Sequence, residues 1–375
     1  MPRLIRFLAL ALGLLVLLPT FPASAAEYPS VSGECACVYL PALDCLVYDK
    51  NANRRHPMAS TTKIMTALVA LENSRPEEEV IVAAEAAGIE GSSIYLQAGE
   101  VQTMENLLYA LLLESANDAA AAIAIHVAGS IDGFAALMNT RAQTLGLRDT
   151  HFTNPHGLAD PQHYTTAYDL ARITAAAMEN EAFFRIVSTK NKMICAADGS
   201  KPRSLSNHNK LLRSYDDCVG VKTGFTKISG RCLVSAAERD GMLLIAVTLD
   251  APDDWRDHTA MLDYGFSRYE GRVLNDCQGT VFSLPVIGGT LPAVSISARS
   301  TPVVVVEKDG KEIKAQLEMN RFAAAPIRRG DVLGVIRYTK SGETIATLPL
   351  LAEHAVAKAP VHETLWDKIK SIWNR

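Results

Sequence analysis

The sequence lacks the features that mark several common classes of protein. It has no block of like charges, and its 37 basic and 41 acidic residues give a net charge of −4, which does not support nucleic-acid binding. It has no internal repeat and no low-complexity tract, so it is neither disordered nor collagen-like. It has no Cys-x-x-Cys pair and no His/Cys spacing suited to zinc. What remains is a folded globular chain of 375 residues, long enough for two domains.

The first 25 residues are predicted to be a secretory signal peptide. Arg3 and Arg6 supply a positive charge, and an apolar run from Leu8 to Leu18 follows them. The run is too short to span a bilayer, and Ala23-Ser24-Ala25 has the small residues of a cleavage site. We therefore expect the chain to be exported, with an uncleaved N-terminal anchor as the alternative.

The seven cysteines leave their pairing open. An exported chain permits disulfides, but an odd number leaves at least one thiol unpaired. Cys35 and Cys37 are two residues apart in an alternating stretch, so we expect both on one face of a strand. Buried, reduced thiols are at least as compatible with this pattern as disulfides are.

Strand patterns flank a block of helical patterns. Residues 34–49 are typical of two strands around a turn. Helical periodicity follows at residues 61–72, 104–113, 117–128, 133–145 and 166–179, and the stretch 80–130 is expected to contain no sheet. Strand patterns return at residues 220–225, 231–237 and 243–249, before a helix at 256–267. This order predicts an α+β domain over residues 26–272, with one antiparallel sheet covered by helices.

The composition changes after residue 272. Residues 273–352 are rich in Val, Ile and Thr with regular turn signals, which predicts a small all-β domain, and residues 353–361 are typical of a linker. Residues 362–375 are predicted to form an amphipathic helix on a membrane surface, too short to span it. Docking of this helix on protein is the alternative. Its apolar face would carry Leu365, Trp366, Ile369, Ile372 and Trp373.

Ser60 and Lys63 form a Ser-x-x-Lys motif at the start of a helix, where Ser60 is expected at the N-cap. Residues three apart share a helix face, so the Lys63 amine can lie against the Ser60 hydroxyl. A desolvated lysine with a lowered pKa can take the proton of a serine and make it a nucleophile. The ordinary alternative is an N-cap serine with a solvated lysine.

Two further motifs follow at long intervals. Ser115-Ala116-Asn117 lies between two helical segments and would place a hydroxyl and a carboxamide near Ser60. Lys222 and Thr223, on a predicted strand, offer a charge and a hydroxyl to an anionic ligand, while Gly224 would let another backbone approach closely. A helix cap and an edge-strand lysine are the ordinary alternatives. The three motifs in this order are far more specific than any one alone.

The motifs and the segments around them resemble D-alanyl-D-alanine carboxypeptidases of the low-molecular-mass penicillin-binding proteins. The segments HPMASTTKIMTALVALE, LLESANDAAAAIA, TNPHGL and GVKTGFTKISGRCLVSAAERDGM carry the likeness, which runs from about residue 28 to about residue 270. It continues more loosely through AAPIRRGDVLGVI. The resemblance implies a serine penicillin-recognising transpeptidase/β-lactamase-like domain, followed by that family's β-rich C-terminal domain.

The resemblance also implies a reaction. The enzyme would remove the terminal D-alanine from peptidoglycan stem peptides ending in D-Ala-D-Ala, at the outer face of the cytoplasmic membrane or in the cell wall. Ser60 would form the acyl-enzyme, Lys63 would be the general base, and Ser115 would relay a proton to the leaving amine. No metal or cofactor is needed, and β-lactams would be covalent inhibitors. The implied substrate-binding residues, including the backbone amide of Phe225 in an oxyanion hole, are Asn117, Lys222, Thr223, Gly224 and Phe225.

Two other functions remain open from the residues alone. A β-lactamase of similar fold would need a Glu-x-x-x-Asn signature between the second and third motifs, and none is evident. A non-catalytic penicillin-binding sensor is the other alternative, and the intact Ser60 and Lys63 argue against it. The preference between carboxypeptidase and endopeptidase activity also stays open.

Several charged or titratable residues near the motifs have uncertain roles. Arg256 either helps to hold the substrate carboxylate or forms a surface salt bridge. Glu114 places a charge next to the site or on its rim. The histidines expected to be structural, because the family uses no histidine base, are His56, His156 and His208.

Overall fold

The computed structural model describes residues 27–274 and 279–360. The predicted signal peptide and the predicted amphipathic helix at 362–375 lie outside the described residues. Within the described part of the chain, no single helix is long and apolar enough to cross a membrane, and one bent pair of helices meets those limits only when its members are taken together.

The described residues form eight α-helices and seventeen strands. The helices are α1 (Lys63–Asn73), α2 (Met104–Leu113), α3 (Asn117–Ala128), α4 (Ile131–Thr144), α5 (Ala167–Met178), α6 (Glu181–Ser188), α7 (Leu211–Ser214) and α8 (Asp254–Arg268). The strands before residue 275 are β1 (Cys35–Leu40), β2 (Cys45–Lys50), β3 (Glu79–Ile81), β4 (Val101–Thr103), β5 (Asn191–Ile194), β6 (Arg203–Ser206), β7 (Cys218–Thr226), β8 (Gly230–Arg239), β9 (Met242–Leu249) and β10 (Tyr269–Val273). The later strands are β11 (Val281–Ile287), β12 (Ala293–Ser297), β13 (Val303–Glu307), β14 (Ile313–Met319), β15 (Ala323–Ala324), β16 (Val332–Lys340) and β17 (Glu343–Ala352).

A five-stranded antiparallel sheet in the order β2-β1-β9-β8-β7 is the centre of the first region. Cys35 pairs with Leu249, so the N-terminal strands join the late strands in one sheet, as predicted. Helix α5 packs on one face, and α8 packs on the other through Met261, Leu262 and Phe266. This sheet covered by helices confirms the predicted α+β class.

The two faces of β1 explain two buried cysteines. Cys35 and Cys37 both point into the larger hydrophobic core, while Ala36 and Val38 face α8. The six described cysteines are all free thiols, and burial raises the pKa of Cys232 to about 12. The three buried thiols, Cys35, Cys37 and Cys232, therefore act as small apolar side chains, whereas Cys195 is exposed.

Three local predictions are wrong. The predicted linker is part of the β region after residue 279 in its described residues, because Val356 is buried in that core and bridges to Ile327, and Lys358 bridges to Gly289. Ser60 is not an N-cap, because it lies inside a 3-10 turn, Ala59–Thr62, and α1 begins only at Lys63. The stretch 80–130 also contains sheet, since β3 and β4 pair in an antiparallel ladder. Strands of three residues carry too little alternation to be seen in a sequence.

The chain after residue 279 is all β, as predicted. Six strands form a sheet in the order β14-β16-β17-β12-β11-β15, and β13 pairs instead with β10 at the end of the first region. The core of this β region is apolar and includes Leu284, Val294, Ile336 and Leu350.

Candidate active site

The turn that carries Ser60 lies against strand β7. A Cβ atom on Gly224 would stand 3.0 Å from the Ser60 nitrogen and 3.1 Å from the Thr61 nitrogen. Such contacts are tighter than side chains normally make, so glycine is needed for β7 to pass this close to the turn. Ala59, the first residue of the turn, has a left-handed conformation with φ of 47°.

A second set of contacts holds the same turn through Thr62 and His163. Thr62 Oγ1 donates to the Ala59 carbonyl at 2.8 Å and lies 2.7 Å from His163 Nε2. His163 Nδ1 accepts from the Thr153 N–H at 3.0 Å, so the ring proton is on Nε2 and is donated to Thr62. Burial lowers the pKa of His163 to about 4, which keeps the ring neutral.

Lys63 is fully buried, and its amine contacts three oxygen atoms. Nζ lies 3.0 Å from Ser60 Oγ, 2.7 Å from Asn117 Oδ1 and 2.6 Å from the His156 carbonyl oxygen. Burial, and then the charge of Lys222, lower the pKa of Lys63 well below its ordinary value. A buried amine of this kind can exist in the neutral form that accepts a proton.

The Asn117 amide decides how the Lys63 amine is oriented. Asn117 Nδ2 donates to the Glu90 carbonyl at 2.5 Å, which turns Oδ1 toward Lys63. Asn117 Oδ1 and the His156 carbonyl accept only, so each takes one N–H of the amine. The third position of Lys63 Nζ then faces Ser60 Oγ, and in the neutral amine that position is the lone pair. The arrangement can therefore remove the hydroxyl proton of Ser60.

Lys222 is the second buried lysine of the site. Its Nζ donates to the Thr223 carbonyl at 2.8 Å. Burial lowers the pKa of Lys222 to about 7, and the negative charge of Glu114 acts in the opposite direction. The charge of Lys222 is therefore sensitive to pH near neutrality.

An open cavity of about 380 Å³ lies over Ser60. The predicted site residues that line it are Ser60, Ser115, Thr223, Gly224 and Phe225. Lys63, Asn117 and Lys222 are buried beneath it. The structure thus brings all eight predicted residues together, five at the cavity surface and three below.

One wall of the cavity is formed by residues that were not predicted from the sequence to belong to the site. Arg231 lies on it, and its guanidinium is held by the buried Asp254 through Nη2–Oδ1 and Nε–Oδ2 distances of 2.8 and 3.1 Å. Trp255 lies beside this pair, with Arg231 and Lys210 each 5.9 Å from the indole centre. The only sequence signal was a charge at the start of the apolar β8 pattern.

The structure shows where Arg256 and Glu114, whose roles the sequence left open, are located. Arg256 is exposed and lies 3.7 Å from Asp253, so it forms a surface ion pair. Glu114 is on the rim, where its Oε1 accepts from the Ser206 N–H at 2.5 Å and its Oε2 lies 3.3 Å from His208 Nε2. His208 lines the cavity, whereas the buried His156 meets Lys63 only through its carbonyl group.

Comparison with protein families gives two matches along the chain. Residues 24–253 match the family D-alanyl-D-alanine carboxypeptidase, and residues 278–358 match the C-terminal domain of penicillin-binding protein 5. The first match covers all eight site residues.

Individual proteins agree with the family match. D-alanyl-D-alanine carboxypeptidase DacF of Bacillus subtilis is 33% identical over 325 residues, covering 84% of this chain and 83% of that relative. The crystal structure of D-alanyl-D-alanine carboxypeptidase DacD from Francisella tularensis is similar with a TM-score of 0.64 and 25% identity, over 93% of this chain and 98% of that one. The Streptomyces K15 DD-transpeptidase is similar with a TM-score of 0.61 and 32% identity, over 64% of this chain and 100% of that one.

Proposed function

The chain belongs to the D-alanyl-D-alanine carboxypeptidase family and is a serine peptidase, and from this premise we propose that Ser60 is the residue its substrate acylates. The observation that carries the proposal is the 3.0 Å contact between Ser60 Oγ and the buried Lys63 amine. Lys63 is the general base, because burial favours its neutral form and its two other contacts are to acceptors. The substrate is a peptidoglycan stem peptide, and β-lactams bind at the same site.

Acylation begins when Ser60 Oγ attacks the carbonyl carbon between the two terminal D-alanines and its proton passes to Lys63. The backbone N–H groups of Ser60 and Phe225 stabilise the negative oxygen of the tetrahedral intermediate. Ser115 relays a proton to the leaving amine, so that free D-alanine departs. Water then hydrolyses the Ser60 ester and restores the hydroxyl.

Recognition of the terminal carboxylate is assigned to Lys222, Thr223 and Arg231. Thr223 and Arg231 line the same cavity as Ser60, and the buried Lys222 carries its charge directly beneath. The Asp254 carboxylate holds the Arg231 guanidinium in one orientation. A guanidinium held in this way suits a substrate carboxylate that binds at a fixed position. The second N–H of Asn117 Nδ2 remains for the peptide.

The location of the enzyme is also a proposal. Residues 1–25 have the composition of a signal peptide, and residues 362–375 have the spacing of an amphipathic helix with two tryptophans. We infer export, followed by attachment to the outer face of the cytoplasmic membrane.

Labelling with a fluorescent penicillin tests the proposal. The labelled peptide, mapped by mass spectrometry, should contain Ser60, and Ser60→Ala should neither be labelled nor release D-alanine from a pentapeptide ending in D-Ala-D-Ala. Ser92→Ala, which alters another serine of the same cavity, is the matched control and should still be labelled. Label on another serine, or equal labelling of Ser60→Ala, would disprove the assignment.

A further inference from the structure

Three potential metal ligands converge beside the segment that leads into the turn Ala59–Thr62. They are Glu34, directly before β1, Asp250, directly after β9, and His56. One ligand atom from each residue lies within 4.8 Å of the other two. The grouping arises because Glu34 N–H donates to the Asp250 carbonyl at 3.1 Å, while the His56 backbone is bridged to Thr165.

The His56 side chain is nine-tenths buried, and its ring is oriented as in a metal ligand. Nδ1 lies 2.8 Å from the Pro57 carbonyl oxygen, which only accepts, so Nδ1 carries the proton. The lone pair of the neutral ring is then on Nε2, which faces Glu34 Oε2 at 3.5 Å. A carbonyl on one ring nitrogen that directs the other toward a metal is the usual support of a histidine ligand.

The charges around His56 favour a cation between these groups. Glu34 and Asp250 bring two negative charges, and among the described residues Arg54 pairs only with the far oxygen of Glu34, Oε1, at 2.5 Å. Three acceptors, His56 Nε2 and carboxylate oxygens of Glu34 and Asp250, therefore face one another. Two ligands about 2.1 Å from a tetrahedral zinc ion lie about 3.4 Å apart, which agrees with the separation of Nε2 and Oε2.

We propose that Glu34, His56 and Asp250 bind one zinc ion that fastens the beginning of β1 and the end of β9 to the segment leading into Ser60. Imidazole and carboxylate ligands suit zinc, and rotation of the two carboxylates would bring the third ligand into range, with a water molecule as the fourth ligand. The ion is structural: it lies outside the cavity over Ser60, and the acylation steps do not use it.

Zinc titration of the chelator-treated full chain tests this site. Calorimetry should show one zinc ion bound per chain, and the melting temperature should rise by several degrees because the ion binds only the folded state. His56→Gln should abolish both effects. His126→Gln is the matched control, since His126 also faces a carboxylate, Glu78, at 2.9 Å but has no third ligand in the described residues, and it should bind zinc like the wild type.

Two further variants separate a zinc site from a plain ion pair. Arg54→Gln removes the cation that competes for Glu34 and should tighten zinc binding several-fold. Asp250→Asn should weaken it about as much as His56→Gln, which keeps the test valid if the histidine variant folds poorly. Cobalt should give the visible absorption of a tetrahedral nitrogen and oxygen site. Absence of zinc binding by the wild type, or equal binding by His56→Gln, would overturn the proposal and leave the three side chains as a polar cluster without a metal ion.

Discussion

The catalytic region, residues 27–274, and the β region, residues 279–360, differ in what they bury. In the catalytic region charged side chains lie in the interior, among them Lys63, Lys222, Asp118 and Asp254. In the β region no charged side chain of the described residues is buried, and the core is built from apolar groups. Its ion pair between Arg337 and Glu318, at 2.7 Å, is partly exposed.

Two of the buried charges, those of Lys63 and Lys222, belong to the candidate active site. Burial lowers the pKa of both lysines in the folded protein, so the unfolded chain binds more protons at neutral pH. The free energy of unfolding is therefore reduced there and rises as pH increases toward the ordinary lysine value. Surface ion pairs like those of the β region contribute little to it in either direction. Substitutions should accordingly affect activity in the first region and mainly stability in the second.

The largest effect is expected for Lys63→Arg. Arginine stays protonated and cannot accept the Ser60 proton, so the acylation rate should fall about a thousandfold. The wild-type rate should also fall at acid pH, because Lys63 then binds a proton. Stopped-flow acylation by a fluorescent penicillin measures both effects, with the partly exposed Lys192→Arg as the control. Acylation of Lys63→Arg at the wild-type rate would disprove the assignment of the base.

Lys222→Met should separate activity from stability. We expect the acylation rate to fall about a hundredfold, since a charge at the carboxylate site is lost. The free energy of unfolding at neutral pH should be unchanged or higher, because an apolar side chain replaces a buried amine. In wild type this free energy should rise between pH of about 7 and lysine's ordinary pKa, and the variant should lack the contribution of Lys222 to that rise.

Urea unfolding at neutral and mildly alkaline pH measures this difference. Lys192→Met serves as the control and should show the wild-type pH dependence. A Lys222→Met variant clearly less stable than wild type would mean that the amine stabilises the fold, contrary to the comparison of the two regions.

Arg231→Gln should weaken substrate binding by roughly tenfold, since a hydrogen bond to a charged group is lost. The loss should appear in KM for peptides with a free carboxylate and should be much smaller for the same peptides with an amidated end. Arg256→Gln, a surface arginine of the same region, should leave both substrates unaffected. Equal losses on both peptides would show that Arg231 does not contact the carboxylate.

Glu114→Gln should have a smaller, pH-dependent effect. Its negative charge favours the protonated form of Lys222, so removing it should lower the Lys222 pKa further. We expect KM to rise about threefold at mildly alkaline pH and less at acid pH, as expected for one partly exposed charge. Glu105→Gln, in the helix that ends just before Glu114 and paired with Arg185 at 2.6 Å, is the control. An unchanged pH profile of KM would exclude this role.

The smallest effect on the rate of hydrolysis is expected for the deletion of residues 362–375, which belong to neither region. Deleting residues 362–375 should leave hydrolysis of a small soluble peptide unchanged and release the enzyme from anionic vesicles, because attachment scales with buried apolar area. Flotation with vesicles measures attachment, and Trp366→Ser combined with Trp373→Ser should reproduce most of the loss. If the deleted form still floats with vesicles, the attachment site lies elsewhere.

Much of the fold was predictable because its signals are local. The helix over Lys63–Asn73 and the three late strands are visible as periodicity, and strand patterns at both ends of the domain predicted that these strands join in one sheet. The α+β class predicted from the order of strands and helices is confirmed, as are the family and the carboxypeptidase activity implied by the resemblance. The β3–β4 pair and the 3-10 turn at Ser60 were mispredicted because elements of three or four residues carry too little pattern.

By itself the sequence determined which side chains could react, since motif spacing places Ser60 one turn from Lys63 along a single stretch of chain. Only the tertiary structure decided how deeply those side chains are buried and which groups they contact. The burial that lowers the pKa of Lys63 and the Asn117 contact that orients its amine come from distant segments. Arg231 lines the cavity and Arg256 does not, because β8 and α8 pack so that Arg231 meets Asp254, 23 residues away. Solvation and orientation depend on neighbours in space, which spacing along the chain does not specify.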